Sequence, residues 1–244
     1  MVARRLAEVP DVDVLLVEAG DSDDVPEVME ASKWPLNLTS ERNWRFLGQP
    51  SRHLNGRSIP LDMGKVLGGG SSINAMTWVR GHKNDWDFFA SEAGNAAWSY
   101  ESVSKIYRRI EDWNGAPDPK YRGSGGSVYV RSDPTSNPIF PAMLEGARSA
   151  GIPTFDNLNG RMTEAEGASI SERLVRHGKR QSVFRTYTFP YMDRRNLTVL
   201  SRAMVTRLVF EGKRVTGVEI VYGDKAGRAI RRRLERHADA VRLA

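Results

Sequence analysis

The chain has 244 residues, of which 40% are hydrophobic and 27% are charged. This composition is typical of a folded globular protein, and no apolar run approaches the roughly 18 residues that a membrane helix needs, so we expect no membrane span. The absence of cysteine excludes disulfides and thiolate metal sites. The first residues lack the apolar stretch of a secretory signal, and we therefore expect a cytoplasmic location.

The net charge of +6 is concentrated at one end of the chain. Residues 225–244 carry seven basic and two acidic residues, so this segment accounts for +5 of the total. A nearly neutral body does not present the basic face that nucleic-acid binding requires, and the segment has no interleaved aromatic residues for base stacking. We therefore expect no nucleic-acid partner.

The first quarter of the chain predicts a helix, a buried strand and a long loop. The segment from Ala3 to Glu8 has helical composition and is followed by Pro10, which ends a helix. The nearly continuous apolar run from Val12 to Glu18 is typical of a strand buried on both faces of a parallel sheet. Residues 34–60 show no sustained period, and ordered loops of this length usually carry function.

Beyond that loop, a glycine cluster leads into a helix that we expect from Ser71 to Val79. The later segments predict, in order, helices at Asp85–Ala90 and Tyr100–Trp113, a strand at Ser127–Arg131, a helix at Pro138–Ala150, strand or mixed segments at Ala168–Val175 and Ser182–Phe189, and strands at Leu197–Leu200, Met204–Glu211 and Arg214–Tyr222. A βα-type start, a mixed middle and a β-rich end indicate an α/β fold with an α+β insertion.

Glu18 is a candidate ligand for a nucleotide ribose. In dinucleotide-binding folds an acidic residue at the end of the second strand accepts hydrogen bonds from the ribose hydroxyls, about 20 residues beyond a glycine-rich turn. Counting back from Glu18 passes Met1, so that turn is expected to precede this sequence. The competing interpretation is a surface glutamate that happens to end a strand.

The glycine cluster from Gly64 to Asn74, GKVLGGGSSIN, is a more specific signal. Three consecutive glycines allow the backbone to approach a ligand closely and to direct its N–H groups at anionic oxygens. A helix beginning at Ser71 or Ser72 would add its positive N-terminal end. The alternative is a mobile linker, but packing residues follow the cluster at once. The pattern therefore favours a site for a pyrophosphate or a flavin edge.

Three segments together resemble the glucose–methanol–choline (GMC) oxidoreductases, in particular the N-terminal half of choline and alcohol dehydrogenase-type members. The most specific is residues 64–87, GKVLGGGSSINAMTWVRGHKNDWD, which is similar to the first diagnostic motif of the family. Residues 14–20, VLLVEAG, resemble its second strand with the ribose-binding glutamate. Residues 196–220, NLTVLSRAMVTRLVFEGKRVTGVEI, resemble the segment that brings a valine beside the adenine.

This resemblance implies that the chain binds FAD. By position, Glu18 would bind the adenosine ribose, and Val205 would meet the adenine through its backbone. The other residues carried over would border the pyrophosphate and flavin or lie along the isoalloxazine ring: Lys65, Val66, Gly69, Gly70, Asn74, Ala75, Met76 and Thr77. Some members attach FAD covalently through a histidine just before the motif's asparagine. Ile73 occupies that position here, which implies non-covalent FAD.

The resemblance also implies two domains. An incomplete Rossmann-like FAD-binding domain would comprise residues 1–113 and 195–244, and part of an antiparallel-sheet substrate domain would comprise residues 114–194. The first strand, which is central in such a fold, and the family's C-terminal half are both missing, so the chain is expected to be truncated at both ends. Because unpaired buried strand edges are costly relative to total stability, the chain alone should hold FAD weakly or not at all.

Members of the family oxidise an alcohol by hydride transfer to flavin N5 while a histidine removes the hydroxyl proton. None of His53, His82, His177 and His237 matches that position, so we nominate no catalytic residue, and no metal site is expected. Two hypotheses remain. One is an FAD-dependent oxidoreductase acting on the CH–OH group of a small alcohol, present as a partial chain that is inactive alone. The other is a non-catalytic remnant or a partial subunit.

Overall fold

The computed structural model describes residues 1–132, 137–223 and 229–235. The chain forms two compact units that mix helices and short strands: Met1–Ile73 with Val183–Ala244, and Asn74–Ser182. The family resemblance predicts domain boundaries after residues 113 and 194. These boundaries separate domains by expected function and not by compactness, and they stay a prediction. His237 and most of the basic segment 225–244 lie outside the described residues.

Within this part of the chain, the α-helices are α1 (Val2–Ala7), α2 (Pro26–Met29), α3 (Lys83–Glu92), α4 (Tyr100–Ile110) and α5 (Ile139–Ser149). The strands are β1 (Val14–Val17), β2 (Phe46–Leu47), β3 (Pro60–Leu61), β4 (Thr77–Trp78), β5 (Glu111–Trp113), β6 (Val128–Val130), β7 (Glu172–Arg173), β8 (Val175–Arg176), β9 (Lys179–Arg180), β10 (Leu197–Leu200), β11 (Ala203–Glu211), β12 (Arg214–Gly223) and β13 (Ala229–Glu235). None of the described helices is long and apolar enough to cross a membrane.

The first unit is organised around a parallel pair of strands, β1 and β10. The residues from Val14 to Val17 pair in register with those from Leu197 to Leu200, as expected for two short runs of β-branched and aliphatic residues. The Asn196 side-chain amide joins α1 to this pair, because it lies within 3.2 Å of the carbonyl oxygens of Ala7, Val9 and Val12. The chain then continues into the antiparallel sheet β11–β12–β13.

Outside residues 133–136, the second unit contains three two-stranded pairings: β4 with β7, β5 with β6, and β8 with β9. Helix α3 begins with a capping box in which His82 accepts from the backbone while the Asp85 carboxylate accepts from the His82 N–H. Helix α4 is capped by the Ser99 hydroxyl, which accepts from the Ser102 N–H. These caps explain why both helices begin where they do.

A buried network of two arginines and two glutamates lies at the centre of the second unit. Arg122 donates to Glu111 at 3.0 Å and to Glu172 at 2.9 Å, and its guanidinium lies 3.7 Å from the centre of the Trp113 ring. Arg80 pairs with the second oxygen of Glu111. Burial lowers the pKa of Arg122, and the two glutamates oppose that shift. The two charges of each sign balance within the network.

The helix expected from Ser71 to Val79 is wrong. The structure has a single 3-10 turn at Gly69–Ser72, and the chain is already extended at Thr77–Trp78. Met76 adopts a left-handed backbone conformation, with φ of 58°, which no α-helix accommodates.

The strand considered for Ser182–Phe189 is also wrong. It is a π-helical turn at Phe184–Thr188, in which Arg185 reaches the buried Asp23 carboxylate at 2.7 Å.

Candidate cofactor-binding site

Glu18 is held at the end of β1 by its neighbours in the first unit. Its N–H donates to the carbonyl of Leu200 at 2.8 Å, and its carbonyl accepts from the N–H of Ala203 at 2.9 Å. Its carboxylate accepts from the N–H of Gly20 at 2.8 Å. Burial raises the pKa of Glu18, although the N–H groups of Gly20 and Ala19 and the charge of Lys65 act in the opposite direction. A partly buried carboxylate therefore ends the strand.

The residues just after Glu18 pack directly against the start of the glycine cluster. A Cβ on Gly20 would lie 1.9 Å from the Lys65 carbonyl oxygen, so only glycine fits there without a shift of the backbone. The N–H of Leu67 donates to the carbonyl of Asp21 at 3.1 Å, and Asp21 forms a parallel bridge with Val66. The strand end and the glycine cluster, which the sequence singled out separately, are thus neighbours.

The glycine turn is tightly packed on one side and open on the other. Gly68 and Gly69 have positive φ values of 91° and 56°. A Cβ on Gly64 would lie 2.2 Å from the backbone of Gly69, whereas a Cβ on Gly69 or Gly70 would meet nothing within 4 Å. The hydroxyls of two serines, Ser71 and Ser72, each donate to a backbone carbonyl of the turn at 2.6 Å. This is a rigid backbone cradle with space beside it, which suits the pyrophosphate of FAD.

The sequence predicts that a helix beginning at Ser71 or Ser72 adds its positive N-terminal end to this site. The structure has a four-residue 3-10 turn instead, which is too short to provide a helix dipole. Lys65 remains the positive group of the cradle, and its ammonium lies 5.2 Å from the centre of the Trp44 ring. Val66 is fully buried and anchors the turn rather than facing outward.

Val205 lies on β11, two residues after Ala203, whose N–H donates to the Glu18 carbonyl. Its side chain is 40% exposed, and a bulge between Val205 and Arg207 interrupts the pairing with β12. The first unit therefore brings Glu18, the glycine turn and the start of β11 together. These are the elements expected to contact the ADP portion of FAD.

Asn74, Ala75, Met76 and Thr77 belong to the second unit and form a tight turn there. The Asn74 side-chain oxygen accepts from the N–H of Met76 at 3.0 Å. Two arginines of that unit, Arg173 and Arg180, donate to this turn. Neither is recognisable as a site residue from the sequence, since arginines in short polar strands look like surface residues. Ile73, just before the turn, is buried at the end of the first unit's glycine segment.

An open cavity of about 480 Å³ also lies in the second unit, and none of the residues expected to bind the cofactor lines it. Its lining includes Val79, His82 and Met162. His53 and His177 are exposed, and His82 caps α3. That none of these three histidines is catalytic stays a prediction, since His82 also lines the cavity.

Comparison with known proteins identifies the class of protein that carries such a cradle. The GMC oxidoreductase family model matches residues 12–241. An oxygen-dependent choline dehydrogenase from Sinorhizobium fredii (strain NBRC 101917 / NGR234) is 35% identical over 226 residues, which are 92% of this chain and 40% of that protein. The chain therefore belongs to the GMC oxidoreductases, a family of FAD-dependent enzymes.

Solved structures agree with this assignment. Pyridoxine 4-oxidase from Mesorbium loti superposes with a TM-score of 0.84 at 27% identity, covering 94% of this chain and 44% of that one. An FAD-dependent oxidoreductase from Chaetomium thermophilum gives a TM-score of 0.81 at 25% identity, covering 96% of this chain and 41% of that one. The chain spans about two fifths of the length of the relatives that it matches.

Proposed function

We propose that the chain forms the FAD-binding part of an oxidoreductase that acts on the CH–OH group of a small alcohol. The observation that carries the proposal is the packing of Gly20 and Asp21 against Lys65, Val66 and Leu67. It places an acidic strand end beside a backbone cradle suited to anionic oxygens, and these two features together suit a dinucleotide. Family membership selects FAD among the dinucleotides.

In this proposal the first unit binds the ADP portion of FAD. The Glu18 carboxylate accepts hydrogen bonds from the ribose hydroxyls, the outer face of the Gly69–Gly70 turn borders the pyrophosphate, and the backbone of Val205 meets the adenine. The prediction that residues 74–77 lie along the isoalloxazine ring rests on the resemblance. FAD supplies hydride acceptance at flavin N5, and we assign no proton transfer to any described residue.

The proposal specifies non-covalent FAD, because Ile73 has no nucleophilic group with which to form a bond to the flavin. It also specifies weak retention of FAD by the chain alone. Within the described residues β1 is hydrogen-bonded to one strand, β10, so its other edge contributes no ladder hydrogen bonds to the stability of the cofactor site. The alcohol class is supported by the choline dehydrogenase relatives, and choline-type alcohols are the first to test.

The experiment that tests the proposal is an FAD titration of the wild-type chain and the Glu18→Gln variant, followed by flavin fluorescence. Glutamine keeps an acceptor for the Gly20 N–H but loses the charge that favours ribose hydroxyls. We expect affinity to fall about tenfold or more, the equivalent of one hydrogen bond to a charged group. Glu211→Gln, at an exposed position of the same unit, is the matched control and should not change affinity.

Two results would contradict the proposal. If the wild-type chain shows no FAD-dependent change in fluorescence or melting temperature at any soluble FAD concentration, the chain does not by itself form an FAD-binding part. If FAD binds but the two glutamine variants behave alike, the cradle binds the cofactor without Glu18 and the ribose role is wrong.

A further inference from the structure

The turn from Asn74 to Thr77 holds a conformation that its own sequence does not favour. Met76 is a non-glycine residue with a φ of 58°, and its side chain is only 4% exposed. Left-handed backbone at such a residue is strained and persists only where surrounding contacts enforce it. The contacts around this turn should therefore identify what enforces it.

One part of the turn is held by the strand beside it. The N–H of Leu174 donates to the carbonyl of Met76 at 2.8 Å, and β4 pairs with β7 from Thr77 onward. Arg173 on β7 adds two hydrogen bonds, to the Ala75 carbonyl at 3.2 Å and to the Thr77 hydroxyl at 2.6 Å. These contacts fix the second half of the turn but leave its first residue, Asn74, to another group.

That group is Arg180, on the β8–β9 hairpin. Its guanidinium donates to the Asn74 side-chain oxygen at 2.9 Å, and the same oxygen accepts from the N–H of Met76. Arg180 is 1% exposed, whereas Asn74 is exposed. Burial lowers the pKa of Arg180 to about 10, so the guanidinium still carries its charge at neutral pH. A buried cation therefore orients an exposed amide, and that amide caps the strained turn.

We propose that Arg180 is a positioning residue for the cofactor: through Asn74 it holds the Asn74–Thr77 turn in the conformation that meets the flavin ring. The proposal deepens the proposed FAD function and rests on it for the role of the turn. The hydrogen-bond relay itself, from Arg180 to Asn74 to the Met76 N–H, is a property of the chain without cofactor. The two parts can therefore be tested separately.

The first measurement is amide hydrogen exchange at Met76 in the FAD-free chain. In Arg180→Met the Asn74 amide is released, and we expect the Met76 N–H to exchange about tenfold faster, the equivalent of one charged hydrogen bond. Arg176→Met is the matched control, since Arg176 is an exposed arginine on the same hairpin that stacks over Tyr129. It should leave the Met76 exchange rate unchanged. Equal rates in the two variants would overturn the relay.

The second measurement is FAD affinity in a double-mutant cycle with Asn74→Ala. We expect R180M to weaken FAD binding about tenfold and to have no further effect once Asn74 is alanine, because Arg180 acts through that side chain. An effect of R180M that persists undiminished in the N74A background would mean that Arg180 only supports the fold, and the proposal would fail. If R180M does not fold, R180K carries the same cycle, with a smaller loss expected.

These outcomes separate the two proposals. A wild-type chain that does not bind FAD refutes the proposed function, while the exchange measurement still decides whether Arg180 holds the turn. A chain that binds FAD in a Glu18-dependent way, but shows no coupling between Arg180 and Asn74, refutes the positioning role alone.

Discussion

The two units build their critical contacts from different chemical groups, backbone in the first unit and charged side chains in the second. At the end of β1 in the first unit, backbone meets backbone: Gly20 lies against the Lys65 carbonyl, and Asp21 bridges to Val66. At the centre of the second unit, charged side chains meet, with Arg122 between Glu111 and Glu172. The first arrangement depends on the absence of side chains and the second on their charges.

This difference determines what each region tolerates. A backbone cradle is sensitive to any added Cβ on its packed side but is nearly indifferent to charge. A buried ion network tolerates changes of shape poorly and changes of charge worse, because removing one partner leaves the others buried without compensation. A substitution that changes only charge should therefore destabilise the second unit far more than the first.

The largest effect is expected from Glu111→Gln in the second unit. Glutamine has almost the same shape, but it removes the carboxylate that pairs with Arg80 and leaves Arg122 with Glu172 as its acidic partner. We expect a loss of about 3–5 kcal/mol in the free energy of unfolding, a large fraction of a typical total of about 5–15 kcal/mol. Urea unfolding followed by hydrogen exchange within residues 74–132 measures it.

The control for this substitution is Glu101→Gln on α4, which removes an exposed carboxylate from its pairing with Lys105. That pair is solvated, and its loss should leave the unfolding midpoint almost unchanged. If E111Q is as harmless as E101Q, the charges of the buried network do not stabilise the second unit.

The sequence could not reveal this network. Arg122 lies 11 residues from Glu111 and 50 residues from Glu172, and each of the three reads as an ordinary surface residue in its own segment. Their proximity follows from the pairing of β5 with β6 and of β4 with β7, strands of only two or three residues. The sequence predicts a strand around β6 and strand or mixed structure around β7, but β4 and β5 lie inside segments predicted to be helical. Neither the pairing nor the burial could therefore be predicted.

A smaller effect is expected from adding a methyl group on either side of the cradle. Gly20→Ala places a Cβ against the Lys65 carbonyl, and we expect it to cost about 1–3 kcal/mol of stability. Gly70→Ala adds its Cβ to open space at a residue without a positive φ, so stability should change by less than about 0.5 kcal/mol. Because that methyl points to the proposed pyrophosphate side, G70A should nevertheless weaken FAD binding about tenfold.

Thermal unfolding of the FAD-free chain and FAD titration separate the two effects. A Gly70→Ala variant with wild-type FAD affinity would show that the open face of the turn does not border the cofactor. A Gly20→Ala variant of wild-type stability would show that the strand end and the turn can move apart without cost.

The cradle is the part of the site that the sequence predicts best, because glycine spacing directly reflects backbone geometry. The run from Val12 to Glu18 and the cluster from Gly64 to Gly70 were each recognisable, and the structure brings them together. The helix expected after the cluster was wrong, since the left-handed conformation of Met76 depends on Asn74 and on strands about a hundred residues later in the chain. No local pattern encodes such contacts.

The smallest effect is expected from Glu18→Gln on the stability of the FAD-free chain. Burial raises the pKa of Glu18 in the folded state above its ordinary value. The stability that this shift contributes is fully present below the ordinary pKa of a glutamate and is lost as the pH rises through the raised pKa. At neutral pH the ionised carboxylate therefore carries a desolvation cost that glutamine does not, so E18Q should be slightly more stable than wild type at pH 7 and lose that advantage toward pH 4. Urea unfolding at several pH values between these limits measures the difference. A difference that does not change with pH would mean that burial of this carboxylate has no cost in the folded chain.

A stability gain in E18Q accompanied by a loss of FAD affinity would instead show that the charge at the end of β1 serves ligand binding rather than the fold.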